Sequence, residues 1–489
     1  MNLNELTIKE AVDLLKEGKI SSFDLTKSCL EAAKKNKDLN AYITLCEKEA
    51  LAGAKESDQR RKKGKLLSNY DGIPLAVKDN ISTSGIKTTA GSKILENFIP
   101  PYDAFVIEKI KKAGMIILGK TNLDEFAMGS STETSYFRPT KNPIDKTRVP
   151  GGSSGGSATA VASDQCLAAL GSDTGGSIRQ PASFCGVIGF KPTYGAVSRY
   201  GLLAMASSLD QIGPLTKTVG DAKILFEIIS GRDERDSTSI ELKSKIKNSF
   251  DSAQDKQKSK INELKIGVPK EYFVKGIEEE TEKAVKEAIK NLEKIGAKII
   301  DVSLPHTEYA LACYYIIMPS EASTNLARYD GIKYGYSTAQ SPKLRAQSLL
   351  DVYLKSRAKG FGNEVKRRIM LGTYSLSAGY IAKYYLKAAK VRTLIKKDFD
   401  EVFKKVGLLI TPTSPTTAFK LGEKLEDPIK MYLSDIFTVP VNLAGLPAIS
   451  VPAGKDKKGL PVGLQIIGPQ WSEEKILNLA SQFETISNN

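Results

Sequence analysis

A single large α/β domain, built on a mixed, mostly parallel central sheet flanked by helices, is the fold class this 489-residue chain predicts. Three observations carry the prediction. From about Gly72, short apolar runs alternate with helix-patterned stretches, as βαβ units do. A helical stretch precedes that alternation, and a second interrupts it from about 308 to 405. The alternating texture then returns from about 406 to 489, with no internal repeat. Hydrophobic residues make up 41% of the chain and charged residues 26%, a balance that supports a large core in a soluble globular protein.

The elements follow in order. Residues 1–65 read as helical: apolar positions at helical spacing span 6–17, and Ser21-Ser22 ahead of Phe23-Asp24-Leu25 caps a second helix. Within a core of about 66–236, residues 73–77 read as a buried strand, 104–113 as a helix and 115–119 as the next strand. A helix over 158–163, a strand over 167–170 and a helix from 178 follow. Residues 238–260, rich in Ser, Lys, Asp and Gln, read as a polar surface insertion. Strands at 265–269 and 297–301 enclose a helix from about 278, and strands at 407–410, 448–451 and 462–467 close the domain. The amphipathic, acidic N-terminus resembles neither a secretory signal nor a transit peptide, so a cytoplasmic protein is expected. No apolar run approaches the roughly 18 residues of a membrane span.

Composition limits the chemistry. The five cysteines (Cys29, Cys46, Cys166, Cys185, Cys313) are scattered and odd in number, which suggests neither a disulfide framework nor a zinc site. A net charge of +15 permits an anionic partner such as nucleic acid, but equally describes a lysine-rich solvated surface. The chain has a single histidine, His306, so a serine enzyme built from it would draw its base from lysine.

Two glycine-serine clusters and one upstream lysine stand out. The clusters are Pro150-Gly151-Gly152-Ser153-Ser154-Gly155-Gly156-Ser157 and Gly171-Ser172-Asp173-Thr174-Gly175-Gly176-Ser177; the lysine is Lys78, after the strand pattern at 73–77. The first cluster reads as a flexible loop or a phosphate cradle, and lacks the closing Gly-Lys-Ser/Thr of a nucleotide-binding loop. The second, running from a strand into a helix, offers bare N–H groups to an oxyanion, though such turns are common. Burial of Lys78 would lower its pKa toward that of a neutral base.

Together the three pieces resemble the amidase signature family, densely from Asp71 to Pro214 and more loosely over the whole chain. The resemblance implies one amidase-signature domain over 1–489, with Ser177 as nucleophile, Ser153 as proton relay and Lys78 as general base. It also implies an oxyanion hole formed by the N–H groups of Thr174, Gly175, Gly176 and Ser177, with no metal and no part for His306.

Within that family, further stretches look like the branch whose members serve as glutaminase subunits of tRNA-dependent amidotransferases. They include Glu125-Phe126-Ala127-Met128-Gly129-Ser130-Ser131-Thr132-Glu133, Phe361-Gly362-Asn363-Glu364-Val365-Lys366-Arg367-Arg368 and Lys430-Met431-Tyr432-Leu433-Ser434-Asp435. That likeness implies Arg368, or its neighbour Arg367, on the glutamine carboxylate and Asp435 on the ammonium. Met128, Ser130 and Tyr314 or Tyr315 would line the pocket. Arg368 and Asp435 also fit a purely structural role as ion-pair partners on helices. The branch further implies no cofactor in this chain. Instead, a kinase and tRNA-binding partner uses ATP and magnesium to convert Glu-tRNA(Gln) to Gln-tRNA(Gln), and a small third subunit completes a heterotrimer. The helical region of about 308–405 is the candidate partner surface. A stand-alone amidase, a nucleotide-binding module and an inactive scaffold are the rival readings.

Overall fold

Every described strand joins one sheet, and its most enclosed strands carry the motifs. The computed structural model describes residues 2–241, 264–273, 276–333, 335–340 and 348–487. Its strands are β1 (Tyr42–Leu45), β2 (Pro74–Lys78), β3 (Ile116–Thr121), β4 (Ala168–Asp173), β5 (Ile188–Lys191), β6 (Gln211–Thr216), β7 (Lys265–Pro269), β8 (Lys298–Val302), β9 (Leu408–Pro412), β10 (Ala448–Lys455) and β11 (Pro461–Ile467). Among the described residues they form an 11-stranded sheet in the order β1-β3-β2-β4-β6-β5-β10-β11-β9-β7-β8. Every residue of β2, β4, β5, β6, β9 and β11 is buried, because helices cover both faces.

The sheet is mixed, as expected, but parallel pairing is confined to β3-β2-β4 at one end and β9-β7-β8 at the other. The six pairings between neighbours elsewhere in the order are antiparallel, so "mostly parallel" needs correction. Four of the six involve β1, β5 or β6, which the sequence pattern did not reveal and which pair only antiparallel, and the other two join β11 to β10 and β9. β1 also corrects the all-helical reading of residues 1–65; four residues before the helix Glu47–Lys62 are too few to show a period. The first helix begins at Thr7 with a reciprocal capping box to Glu10, and the second at Ser21, whose hydroxyl accepts from Asp24 N. The expected surface insertion at 238–260 falls almost wholly outside the described residues.

The core divides in two. A large cluster packs β2, β4 and β6 against the N-terminal helices, the helix Val219–Ile229 and the helix Glu473–Ser487. A second, including Met128, Tyr314 and Phe399, lies under the helices Ala310–Asn325, Asn363–Leu376 and Tyr385–Val402, the helical excursion expected at 308–405. No described helix is long and apolar enough to cross a membrane.

Candidate active site

Parallel β2 and β4 are neighbours, so their carboxyl ends lie side by side, where open α/β sheets place their ligands. Lys78 ends β2, and Ser172 and Asp173 end β4. The first cluster opens the helix Gly155–Ala162 with Ser154 as its N-cap, and that helix packs on β2 and β4. Lys78 Nζ therefore meets hydroxyls from both clusters: Ser153 Oγ at 2.8 Å, Ser154 Oγ at 2.8 Å and Ser172 Oγ at 2.9 Å, with the Ser172 carbonyl at 3.2 Å. The Gly152–Ser153 peptide is cis. Burial pushes the Lys78 pKa down to about 7, against the pull of Asp124, Asp173 and Asp210, which favour the charged amine.

Ser177 stands on the turn between β4 and the helix Arg179–Cys185. It is 8% exposed, whereas Lys78 and Ser153 are fully enclosed, so the serine is the member open to a ligand. The turn is tied to the first cluster by Ser154 N donating to Ser177 O at 3.1 Å. Lys78 and Ser153 are thus joined directly. No hydrogen bond among the described residues joins the Ser177 hydroxyl to either.

Asp173 pins the turn from below. Its carboxylate accepts from Gly176 N (2.9 Å), Ile178 N (3.2 Å), Arg179 Nε and Nη2 (both 3.0 Å) and Asn442 Nδ2 (2.9 Å). Burial works against its charge, but Arg179 outweighs burial and holds the acid at about 2. Of the four N–H groups expected to form the oxyanion hole, that of Gly176 donates to Asp173, while those of Thr174, Gly175 and Ser177 have no partner among the described residues. Gly176 adopts φ +137°, a conformation open to glycine and strained for any other residue. Tyr314 closes over the turn, so near that a β-carbon on Gly175 would lie 2.7 Å from its hydroxyl.

The expected charged pair sits beside this turn. Ser130 donates to Asp435 Oδ2, and burial raises the Asp435 pKa to about 7. Arg368 is 3% exposed, with Nε 2.7 Å from Glu364 Oε1 and its guanidinium beside the stacked Tyr315 and Tyr432 rings, 5.4 and 5.3 Å from their centroids. Burial alone would lower its pKa, but the neighbouring tyrosines and Glu364 hold the guanidinium charged. Arg367 has 42% of its side chain exposed and pairs with Glu364 on the outer side, so Arg368 is the inward-facing arginine. Both arginines border a cavity of about 280 Å³ shared with Gly129, Ser131 and Tyr432, so burial and not the cavity distinguishes them. The two tyrosines divide: Tyr314 covers the Gly175 turn, and Tyr315 stacks on Tyr432 with ring centroids 3.9 Å apart. Met128 is fully buried in the second core cluster.

The family described as Amidase matches residues 24–477, and with them all three motif positions. The chain belongs to the amidase signature family. The relatives it resembles include the glutamyl-tRNA(Gln) amidotransferase A-subunit of Thermodesulfovibrio yellowstonii, 57% identical over 488 residues, which span 99% of this chain and 98% of that protein. The protein of the same name from Thermoanaerobacter pseudethanolicus is 57% identical over 485 residues, 99% of this chain and 97% of that one. Among solved structures, the glutamyl-tRNA(Gln) amidotransferase A-subunit of Thermotoga maritima matches with a TM-score of 0.79 and 46% identity, covering 98% of this chain and 94% of that one.

In this amidase-family enzyme several site residues escaped the sequence reading. Ser154 and Ser172 share Lys78 with Ser153, and Asn80 Nδ2 holds Ser172 Oγ at 2.9 Å. Thr438 Oγ1 donates to Gly175 O at 2.6 Å and fixes the far side of the turn. Ser154 and Ser172 stand inside the quoted clusters, but serine content does not reveal which hydroxyls turn inward. Thr438 and Asn80 give no local signal. His306 pairs with Asp398 (Nδ1–Oδ1 2.8 Å) outside the lysine cluster, and all five cysteines are buried and free. Among the described residues no group of three or more His, Cys, Asp or Glu side chains is placed to hold a metal ion.

Proposed function

We propose that the chain is the glutaminase subunit of a tRNA-dependent amidotransferase, hydrolysing glutamine through Ser177, Ser153 and Lys78. The observation that carries the reading is a buried, readily neutralised Lys78 joined to Ser153, in a chain that also encloses Arg368 and Asp435, the aspartate tied through Thr438 to the Gly175 turn. Neutral Lys78 takes the Ser153 proton as Ser153 takes that of Ser177, and Ser177 Oγ attacks the carboxamide carbon. The N–H groups of Thr174, Gly175 and Ser177 receive the oxyanion, a contribution of about 3 kcal/mol per donor. The relay then runs back to the nitrogen, ammonia leaves, and water hydrolyses the acyl ester on Ser177. Arg368 takes the α-carboxylate and Asp435 the α-ammonium.

The released ammonia passes to a partner subunit that uses ATP and magnesium to activate the glutamate of Glu-tRNA(Gln), yielding Gln-tRNA(Gln). A small third subunit completes a cytoplasmic heterotrimer. The names of the relatives support this assignment of partners and tRNA. Ammonia release from glutamine and from propionamide, an uncharged amide, tests the reading. Glutamine should be preferred, and Ser177→Ala should lower turnover by on the order of 10⁴-fold or more. Equal or better use of propionamide would instead identify a free-standing amidase.

A further inference from the structure

Glu125 lies just past β3, in the single turn Glu125–Ala127, and is 3% exposed. Its two carboxylate oxygens are spent on segments distant in the chain. Oε2 accepts from Gly362 N at 2.8 Å, and Oε1 accepts from Ser92 Oγ, which also lies 3.3 Å from Gly360 O. The next residue repeats the contact in apolar form: the Phe126 ring packs edge-on to Phe361 with centroids 5.7 Å apart. Phe126 and Ala127 hold φ of 50° and 63°, a left-handed backbone that is strained for residues bearing a β-carbon and persists only where the surroundings impose it. A β-carbon on Gly362 would collide with Glu125 Oε2, so the carboxylate is fitted against bare backbone.

What this clamp joins is specific. Gly362 is the N-cap of the helix Asn363–Leu376, which carries Glu364 and Arg368. Downstream of Glu125 the same loop reaches Ser130, the hydroxyl bonded to Asp435. One buried carboxylate therefore couples the element bearing the carboxylate-binding arginine to the loop that holds the ammonium-binding aspartate. Glu125 also borders the cavity at Arg368 without touching Lys78, Ser153 or Ser177.

We propose that Glu125 is a positioning residue for substrate selection. It sets the spacing between Arg368 and Asp435, and so the preference for an amide bearing both an α-carboxylate and an α-ammonium. This rests on the glutamine reading given above. Because Glu125 acts only through the charged pair, its loss should move the KM for glutamine and leave an uncharged amide alone.

The test is steady-state kinetics of the full chain, purified with its co-expressed partners, on glutamine and on propionamide. Glu125→Ala should raise the glutamine KM about tenfold or more, the usual scale for losing a buried charged hydrogen bond, while propionamide turnover stays within about twofold. Glu125→Gln keeps an acceptor for Gly362 N–H and offers an N–H to Ser92 Oγ, whose proton is free for Gly360 O; it should restore the KM to within about threefold. Ser92→Ala should shift the glutamine KM in the same sense by a smaller factor, and it decides the matter if Glu125→Ala does not fold. Equal losses on both substrates, or an unmoved glutamine KM in the variants that fold, overturn the proposal. A wild-type enzyme that cleaves propionamide but leaves glutamine intact overturns the underlying reading, and the wild-type control separates that case.

Discussion

Lys78 is surrounded by serine oxygens and shut off from water, and burial dominates its titration. A general base is most effective with a pKa near the working pH, and about 7 meets that condition. The sign follows directly: the amine must be neutral to accept a proton, so turnover falls as pH drops through about 7. Asp435 adds a second requirement, since it must be ionised to pair with an ammonium and its pKa is also raised to about 7. For propionamide, kcat/KM below that pH should fall about tenfold per pH unit, and for glutamine the fall should approach about a hundredfold per unit. Identical slopes for the two substrates would remove Asp435 from the glutamine site. Arg368→Met should raise the glutamine KM about 10- to 100-fold, the range for losing a charged hydrogen bond, and spare propionamide. Glu364 keeps its bond from the Tyr432 hydroxyl at 2.9 Å in that variant, so folding should survive.

The element that matters most is the turn from Asp173 to Arg179, a strand end and a helix start clasped by one ion pair. Both partners are fully buried, and Arg179 reaches on to Asn442 Oδ1 and Gln465 Oε1, each at 2.5 Å. Removing one partner of a buried, hydrogen-bonded pair strands the other charge, which costs about 3–5 kcal/mol. Asp173→Asn should therefore lower the urea midpoint with an unchanged m-value and leave an acceptor for only one of the Gly176 and Ile178 N–H groups that shape the turn. Unaltered stability would mean that the clasp is dispensable. This element was readable in outline: the strand at 167–170, the Gly175-Gly176 turn and the following helix all appear where the pattern placed them. The clasp was not, because Asn442 comes from a segment 269 positions from Asp173.

At the scale of the molecule, eleven strands in one sheet bring the N-terminal half, which carries the lysine and serines, against the C-terminal half, which carries Arg368 and Asp435. Ser130 and Asp435 are 305 positions apart, so no window of sequence shows that they touch. On the exposed side of the helical region, Tyr374, Tyr380 and Tyr384 cluster with ring centroids 4.5 to 6.0 Å apart, near exposed Met370 and Leu371 in the chain. A glutaminase that serves a partner should be restrained on its own. Ammonia release from glutamine should rise at least several-fold when the partner subunits are co-purified, read at saturating glutamine with and without Glu-tRNA(Gln) and ATP. Release that ignores the partners would argue for an independent hydrolase.

By itself the sequence determined the identities and local settings of Lys78, Ser153 and Ser177. A glycine-rich turn, a helix cap and a buried-strand pattern are short-range properties, governed by the conformational freedom of neighbouring residues. Its single histidine, His306, is what turned the reading toward lysine as the base. Tertiary structure decided the rest. It gave the Gly176 N–H to Asp173, buried Arg368 while leaving Arg367 part-exposed, and made the sheet more antiparallel than its alternating texture suggested. Above all it lowered the Lys78 pKa. Desolvation depends on everything that fills the space around a charge, and the groups that enclose this amine come together only when distant segments pack.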